Sequence, residues 1–463
     1  MSQAAHSLPA AEIFKAYDIR GIVDRTLTED AVRAIGHALG TEAKVRDQRE
    51  IAVGRDGRLS GPALAGALAD GIRAAGVDVV DIGCVPTPLT YFAAHHLGTH
   101  SCVSVTGSHN PPDYNGLKMV LGGETLYGPM IQALRNRIAS NNLAHGNGAL
   151  RNAHIDEAYI ARVVSDVKLA RPMKIVLDCG NGVAGGVAPA LFRQLGCELV
   201  ELFCEVDGSF PNHHPDPSKP ENLQDLIRAL KDTDAELGLA FDGDGDRLGV
   251  VTKDGEIIYP DRQLMLFAAD VLSRVPGGEI IYDVKCTRNL AGWITRHGGK
   301  ATMWNTGHAL VKAKLKETGA PLAGEMSGHM FFKERWYGFD DGLYAGARLL
   351  EILSRASDPS AVLKALPDAV STPELNIEMN EGEPFELVKR LRESAQFNGA
   401  DGIITIDGVR VEYPDGFGLA RPSNTTPVVV LRFEADSDTA IARIQADFRR
   451  AIDAVWPGLK LPF

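Results

Sequence analysis

Ala235-Glu-Leu-Gly-Leu-Ala-Phe-Asp-Gly-Asp-Gly-Asp-Arg247 joins a short apolar run to a loop of alternating acid and glycine. The apolar half reads as a buried strand, and the glycines that follow end it. The same join occurs before it in SCVSVTGSHNPP (101–112) and after it in PLAGEMSGH (321–329). Working outward, each join is preceded by two further strand-like runs with a helical stretch between them. These are EIAVGRDGR (50–58) and VDVVDIGCVP (77–86), MKIVLDCGNG (173–182) and CELVELFCEVDG (197–208), then EIIYDVKC (279–286) and KATMWNTGH (300–308). A pattern that returns about every 110 residues predicts three related α/β/α units with mixed parallel sheets. After residue 368 the pattern changes to the alternating runs STPELNIEMN, DGIITIDGVRVEYPDG and TTPVVVLRFEAD, followed by a helix-like tail. These predict a smaller C-terminal α+β domain. The expected boundaries are 1–154, 155–256, 257–368 and 369–463. Ligands of open α/β sheets sit beyond the carboxyl ends of the strands, so three equivalent loops are expected to line one central cleft.

Composition narrows the function. With 48 Lys+Arg against 60 Asp+Glu the net charge is −12, which argues against a nucleic-acid partner. Hydrophobic residues at 44% and charged residues at 23% are ordinary for globular chains and exclude disorder or a rod. The six cysteines show no C-x-x-C or secreted spacing, so reduced, packed thiols are expected. No signal-like start and no long apolar window is present, so no membrane partner and a cytoplasmic location are expected.

The loops carry the chemistry. Ser108 stands after a strand, between Gly107 and His109-Asn-Pro-Pro, which holds a hydroxyl at a sharp turn. Asp242, Asp244 and Asp246 alternate with glycines and offer hard oxygen ligands to one divalent cation; an EF-hand is a poor match. Arg247 beside them suits an anion held by the same metal. Glu325, Ser327 and His329 suit the reading of sugar hydroxyls. Arg421, Ser423, Asn424 and Thr425 combine a cation with donors on a turn, as a phosphate dianion requires. Tyr17, Asp18, Arg20 and Lys118 add polar groups near the first unit. A competing reading is an NAD-dependent oxidoreductase, because Gly180, Gly182 and Gly185 satisfy G-x-G-x-x-G after a strand, with Glu201 further on. A sugar-phosphate binding protein without turnover is a second alternative.

TGSHNPPDYNG, DGDGDR, GEMSGH and RPSNTTP, in this order, resemble the four signature loops of the α-D-phosphohexomutase superfamily, and the similarity covers essentially the whole chain. The resemblance implies a phosphoserine at Ser108 whose phosphate oxygen joins Asp242, Asp244 and Asp246 around Mg²⁺, a sugar loop at Glu325, Ser327 and His329, and a phosphate loop at Arg421, Ser423, Asn424 and Thr425. It also implies substrate contacts for Tyr17, Arg20, Arg247, Arg262, Lys285 and His308. The implied reaction is phosphoryl transfer between the 6- and 1-positions of mannose and glucose phosphates, through a hexose 1,6-bisphosphate that reorients in the cleft and also serves as activator. Phosphoglucosamine mutases usually have Gln where Met326 stands and Gly-Thr-Glu where Asn424-Thr425-Thr stands, which makes glucosamine phosphate the less favoured substrate. Lys118, His109 and His329 are candidates for the acid and base, and sequence does not rank them. Small phosphosugars are the expected partners and a monomer the expected state.

Overall fold

The computed structural model describes residues 8–424 and 426–463. Four sheets follow one another along the chain. In the first, strands Asp78–Cys84, Glu50–Arg55 and Cys102–Val105 lie parallel in that order, and Tyr114–Leu121 returns antiparallel beside Cys102–Val105. The second repeats this arrangement with Cys197–Leu202, Met173–Asp178, Leu237–Phe241 and antiparallel Leu248–Thr252. The third repeats it with Lys300–Trp304, Glu279–Asp283, Leu322–Gly324 and antiparallel Met330–Phe332. Three sheets of one topology support the repeat read from the sequence. The fourth sheet is antiparallel throughout, built on Val428–Ala435 and Gly416–Pro422, and is covered by helices Glu383–Ser394 and Asp438–Val455.

The central strands are buried along their whole length, as expected where helices cover both faces. One apolar core, with Phe192, Phe241, Phe267 and Phe332 among its members, runs through the second and third units and into the first. It fixes the three units against one another. The antiparallel fourth strand has a consequence for the site: each loop that leaves the third strand is tied to the sheet at both ends.

One expectation changes at this level. The glycines of the G-x-G-x-x-G run are consumed by packing of the chain on itself. A Cβ on Gly185 would lie 2.1 Å from the Cys204 carbonyl and one on Gly182 would lie 3.0 Å from Gly243, so close packing accounts for both glycines. Glu201 pairs with Arg193 rather than waiting for a ribose. The cysteines of the described residues are free thiols, with Cys179 and Cys204 Sγ atoms 3.5 Å apart. No helix among the described residues is long and apolar enough to cross a membrane.

Candidate active site

Ser108 has φ +51, a left-handed backbone that a serine adopts only when its surroundings impose it. The hydroxyl is buried, 3.0 Å from Asp242 Oδ2 of the second unit and 3.1 Å from His109 Nδ1. Close approach of the two loops requires glycine at 243, where a Cβ would lie 2.3 Å from the Ser108 carbonyl. The loops of the first two units are therefore packed directly on one another.

Asp242, Asp244 and Asp246 have no exposed surface, and one oxygen of each falls within 4.8 Å of the others. Asp244 Oδ2 accepts from Thr87 Oγ1 at 2.6 Å, Thr106 Oγ1 at 3.0 Å and Lys118 Nζ at 2.8 Å. Asp246 Oδ2 accepts from Lys118 at 2.5 Å. Asp244 Oδ1 is buried without a hydrogen-bond donor. Burial and repulsion from its two neighbours raise the Asp242 carboxyl well above the usual range. An orphaned hard oxygen in a self-repelling acidic triad fits a divalent cation, which would satisfy it and balance the triad. Burial opposes the charge of Lys118, but Asp244, Asp246 and Asp340 outweigh it and keep the side chain an ammonium.

The third unit joins through His329, which pairs with Arg247 as an isolated bridge of backbone. Its Nε2 lies 3.3 Å from Asp246 Oδ1, with Arg247 Nε 3.2 Å away; its Nδ1 faces Glu325 Oε2 at 3.1 Å and Ser327 Oγ at 3.0 Å. Burial alone would discharge His329, but Asp246 and Glu325 override both burial and Arg247 and lift its pKa to about 9. The His308 ring stands 5.8 Å from that of His329, with Nδ1 3.7 Å from Asp340. Burial first, then Lys312 and Lys118, push the pKa of His308 well down.

Glu325 Oε1 takes the Gly307 N–H at 2.5 Å, and from Gly307 the network runs to the other two domains. Tyr17 of the first unit donates its hydroxyl to the Thr306 carbonyl at 2.7 Å and accepts from Asn424 of the C-terminal domain. Arg421 Nε and the Thr306 N–H both meet Asp407 Oδ2, at 2.9 and 3.0 Å. Ser423 lies on the same turn, its hydroxyl 3.0 Å from that of Thr426. Thr425 lies outside the described residues. Arg20 enters by donating to Asn110 Oδ1 at 2.8 Å and Asp18 Oδ2 at 2.6 Å. Lys285 bonds Glu374 at 3.1 Å, spanning the third unit and the C-terminal domain.

Arg262 is engaged outside these contacts. It sits at the start of helix Pro260–Arg274 and bonds Glu256 at 3.0 Å, Asp368 at 3.1 Å and the carbonyls of Leu363 and Leu366 at 3.3 Å. The acids and the free carbonyls at the end of helix Pro359–Lys364 hold the guanidinium, so it ties the start of its own helix to the end of the third unit.

Sequence reasoning missed Arg58, Asp56, Thr87, His214, Asp340 and Asp407, which support the residues named above. Arg58 and Asp56 stand inside the strand-and-turn run EIAVGRDGR, where a charged pair ending a strand was the available signal.

Comparison with known proteins agrees with this arrangement. Family models for phosphoglucomutase/phosphomannomutase match in sequence: α/β/α domain I over residues 11–145, domain II over 156–255, domain III over 259–370 and the C-terminal domain over 374–451. The chain is 57% identical over 460 residues to the phosphomannomutase/phosphoglucomutase of Pseudomonas aeruginosa, covering 99% of each. It is 59% identical over 453 residues to the phosphoglucomutase of Neisseria gonorrhoeae, covering 96% of this chain and 98% of that one. The crystal structure of a phosphoglucomutase/phosphomannomutase family protein from Burkholderia thailandensis superposes with a TM-score of 0.94 at 64% identity, over 98% of this chain and all of that one. Four consecutive domain matches and relatives alike over their full length leave one conclusion: the chain belongs to the phosphoglucomutase/phosphomannomutase family.

Proposed function

We propose that the cleft moves a phosphoryl group reversibly between O6 and O1 of mannose and glucose phosphates, with Ser108 as its carrier. The observation that carries this reading is a buried serine hydroxyl 3.0 Å from a self-repelling acidic triad, at the meeting point of loops from three units. Asp242, Asp244 and Asp246 would hold Mg²⁺, with a phosphate on Ser108 beside them. When bound, that ion supplies positive charge to the phosphate oxygens and balances the triad.

In transfer to the sugar, the bond from phosphorus to Ser108 Oγ breaks while a bond to the sugar hydroxyl forms. That hydroxyl loses a proton, and the seryl oxygen regains one. His109 Nδ1, 3.1 Å from Ser108 Oγ, is the ring nitrogen in place for the seryl proton. Burial, Arg247 and Arg20 push the His109 pKa well down, so it is uncharged and able to accept the seryl proton in the reverse step, when Ser108 takes up a phosphoryl group, and it returns that proton to Oγ when the group leaves. Arg20, Arg247 and Lys118 stabilise the equatorial charge as the group moves. Glu325, Ser327 and His329 read the sugar hydroxyls, helped by His308 and Lys285. Arg421, Ser423, Asn424 and Thr425, with Tyr17 behind them, hold whichever phosphate is distal. The bisphosphate formed midway turns over, so both of its phosphates meet Ser108 in turn, and free hexose 1,6-bisphosphate recharges the serine.

The test is a coupled mutase assay on mannose 1-phosphate, glucose 1-phosphate and glucosamine 1-phosphate with trace hexose 1,6-bisphosphate. Turnover of the first two, and its loss in Ser108→Ala with substrate binding retained, is expected. Full activity in Ser108→Ala overturns the carrier assignment.

A further inference from the structure

The loop that presents Ser108 makes few backbone hydrogen bonds of its own, because Pro111 and Pro112 have no N–H and Ser108 is left-handed. Its carbonyls go to Arg58. The guanidinium places Nη2 on the carbonyls of Ser108 at 2.9 Å and Asn110 at 2.6 Å, and Nη1 on those of Tyr114 at 3.0 Å and Pro111. Its remaining donor, Nε, reaches Asp56 Oδ2 at 3.2 Å. All five N–H groups are used on a side chain with no exposed surface.

Asp56 completes the support. Its Oδ2 shares the Thr106 hydroxyl, 2.8 Å away, with Asp244 and takes the Gly107 N–H at 3.0 Å, so one carboxylate orients the guanidinium and the entry to the loop. Gly107 is needed where it stands, since a Cβ there would lie 2.3 Å from the guanidinium carbon. The second unit closes the assembly: Phe210 stacks over Arg58 at 5.3 Å, and His214 Nε2 meets the carbonyl of His109. Every carbonyl from Ser108 to Pro111 is thereby held by Arg58 or His214.

We infer that Arg58 is the positioning residue of the phosphoryl carrier, gathering the loop's carbonyl oxygens so that Ser108 is held in its left-handed geometry and no backbone oxygen faces the phosphate dianion. This rests on Ser108 being the carrier. Two physical points favour it over simple core filling. A buried cation is a poor core filler, since an uncompensated one costs several kcal/mol, whereas a five-donor fork on fixed carbonyls is a precise clamp. The residues it holds are those nearest the reacting hydroxyl, where a displacement of about 1 Å costs about 10²-fold in rate.

Arg58→Lys tests this in the full-length enzyme. Lysine brings three donors without the planar fork, so at least two of the five acceptors go unserved. The expected result is a kcat lower by about 10²-fold with KM for glucose 1-phosphate within about twofold of wild type. The phosphorus NMR resonance of the phosphoserine should shift or broaden. Wild-type and Ser108→Ala enzyme run alongside separate the two readings: an active Ser108→Ala sinks the carrier assignment, while a fully active Arg58→Lys beside an inactive Ser108→Ala sinks this one. If Arg58→Lys does not fold, His214→Ala frees only the His109 carbonyl from a partly exposed position and should lower kcat on the order of tenfold at constant KM, about one lost hydrogen bond. Unchanged kcat there, with the phosphoserine resonance unmoved, overturns the inference.

Discussion

Replacing Asp244 by asparagine changes one charge and almost no volume, at a residue whose two oxygens have opposite duties. Oδ2 receives three donors, from Thr87, Thr106 and Lys118, whereas Oδ1 is buried with no donor. An asparagine that keeps its oxygen toward the three donors turns its NH₂ toward the metal position; one that flips sets NH₂ against three donors. Either way a hard anionic ligand is lost. Changes even in residues that only support metal ligands cost 10–100-fold in affinity, so about 10²-fold is a fair minimum here. Binding to the folded state stabilises by RT ln(1 + [L]/Kd). At a Mg²⁺ concentration about 100 times the wild-type Kd, metal stabilises the wild type by about 2.7 kcal/mol and the variant by about 0.4 kcal/mol. The assay is a pair of denaturation curves, with Mg²⁺ and with chelator, for each protein, beside a Mg²⁺ titration of mutase rate. In chelator the variant should lose little, since removing one of three crowded carboxylates relieves repulsion while Lys118 keeps Asp246. An equal metal-induced shift in both proteins would refute the triad as the metal's ligand set.

Other perturbations should behave as follows. Arg421→Ala should raise KM about 10- to 100-fold for 1-phosphate and 6-phosphate substrates alike, the scale of a lost charge-assisted hydrogen bond; an effect on one of them alone contradicts the reorienting intermediate. Gly307→Ala should displace Tyr17 from Thr306 and Asn424, since its Cβ would lie 2.5 Å from the Tyr17 ring at a φ of +132, and steady-state kinetics should register a raised KM. Burial opposes the charge of His213, but Asp178 at 3.0 Å outweighs it and raises the pKa above 6.5. Wild type thus has stability below about pH 6.5 that is lost as pH climbs through the raised value, and His213→Gln should narrow the difference in thermal midpoint between about pH 6 and about pH 8.

Much of this was readable in the chain because each unit writes its strand and its functional loop contiguously. Ser108, the acidic triad and the Glu325 loop each stand immediately after an apolar run, so local pattern and chemistry coincide. The antiparallel strand that closes each loop was less evident, since Met330–Phe332 is only three residues long. Arg58 escaped because its partners lie about fifty residues along the chain, and nothing local distinguishes a clamp from a surface cation. Arg262 shows the reverse case: its sign suited a phosphate, but the acids and carbonyls that hold it meet it only in the folded chain.

The hairpin closure shared by the three units bears on how such an enzyme changes over generations. Residues 106–113, 242–247 and 325–329 are each pinned between two strands of their own sheet. A substitution in one is held between its anchors and reaches the next unit only through the contacts the loops make with one another, Ser108 with Asp242 and His329 with Arg247 and Asp246. Each loop can therefore be retuned at positions that face its own sheet, whereas Ser108, Asp242, Arg247 and His329, which touch across units, must change together or not at all.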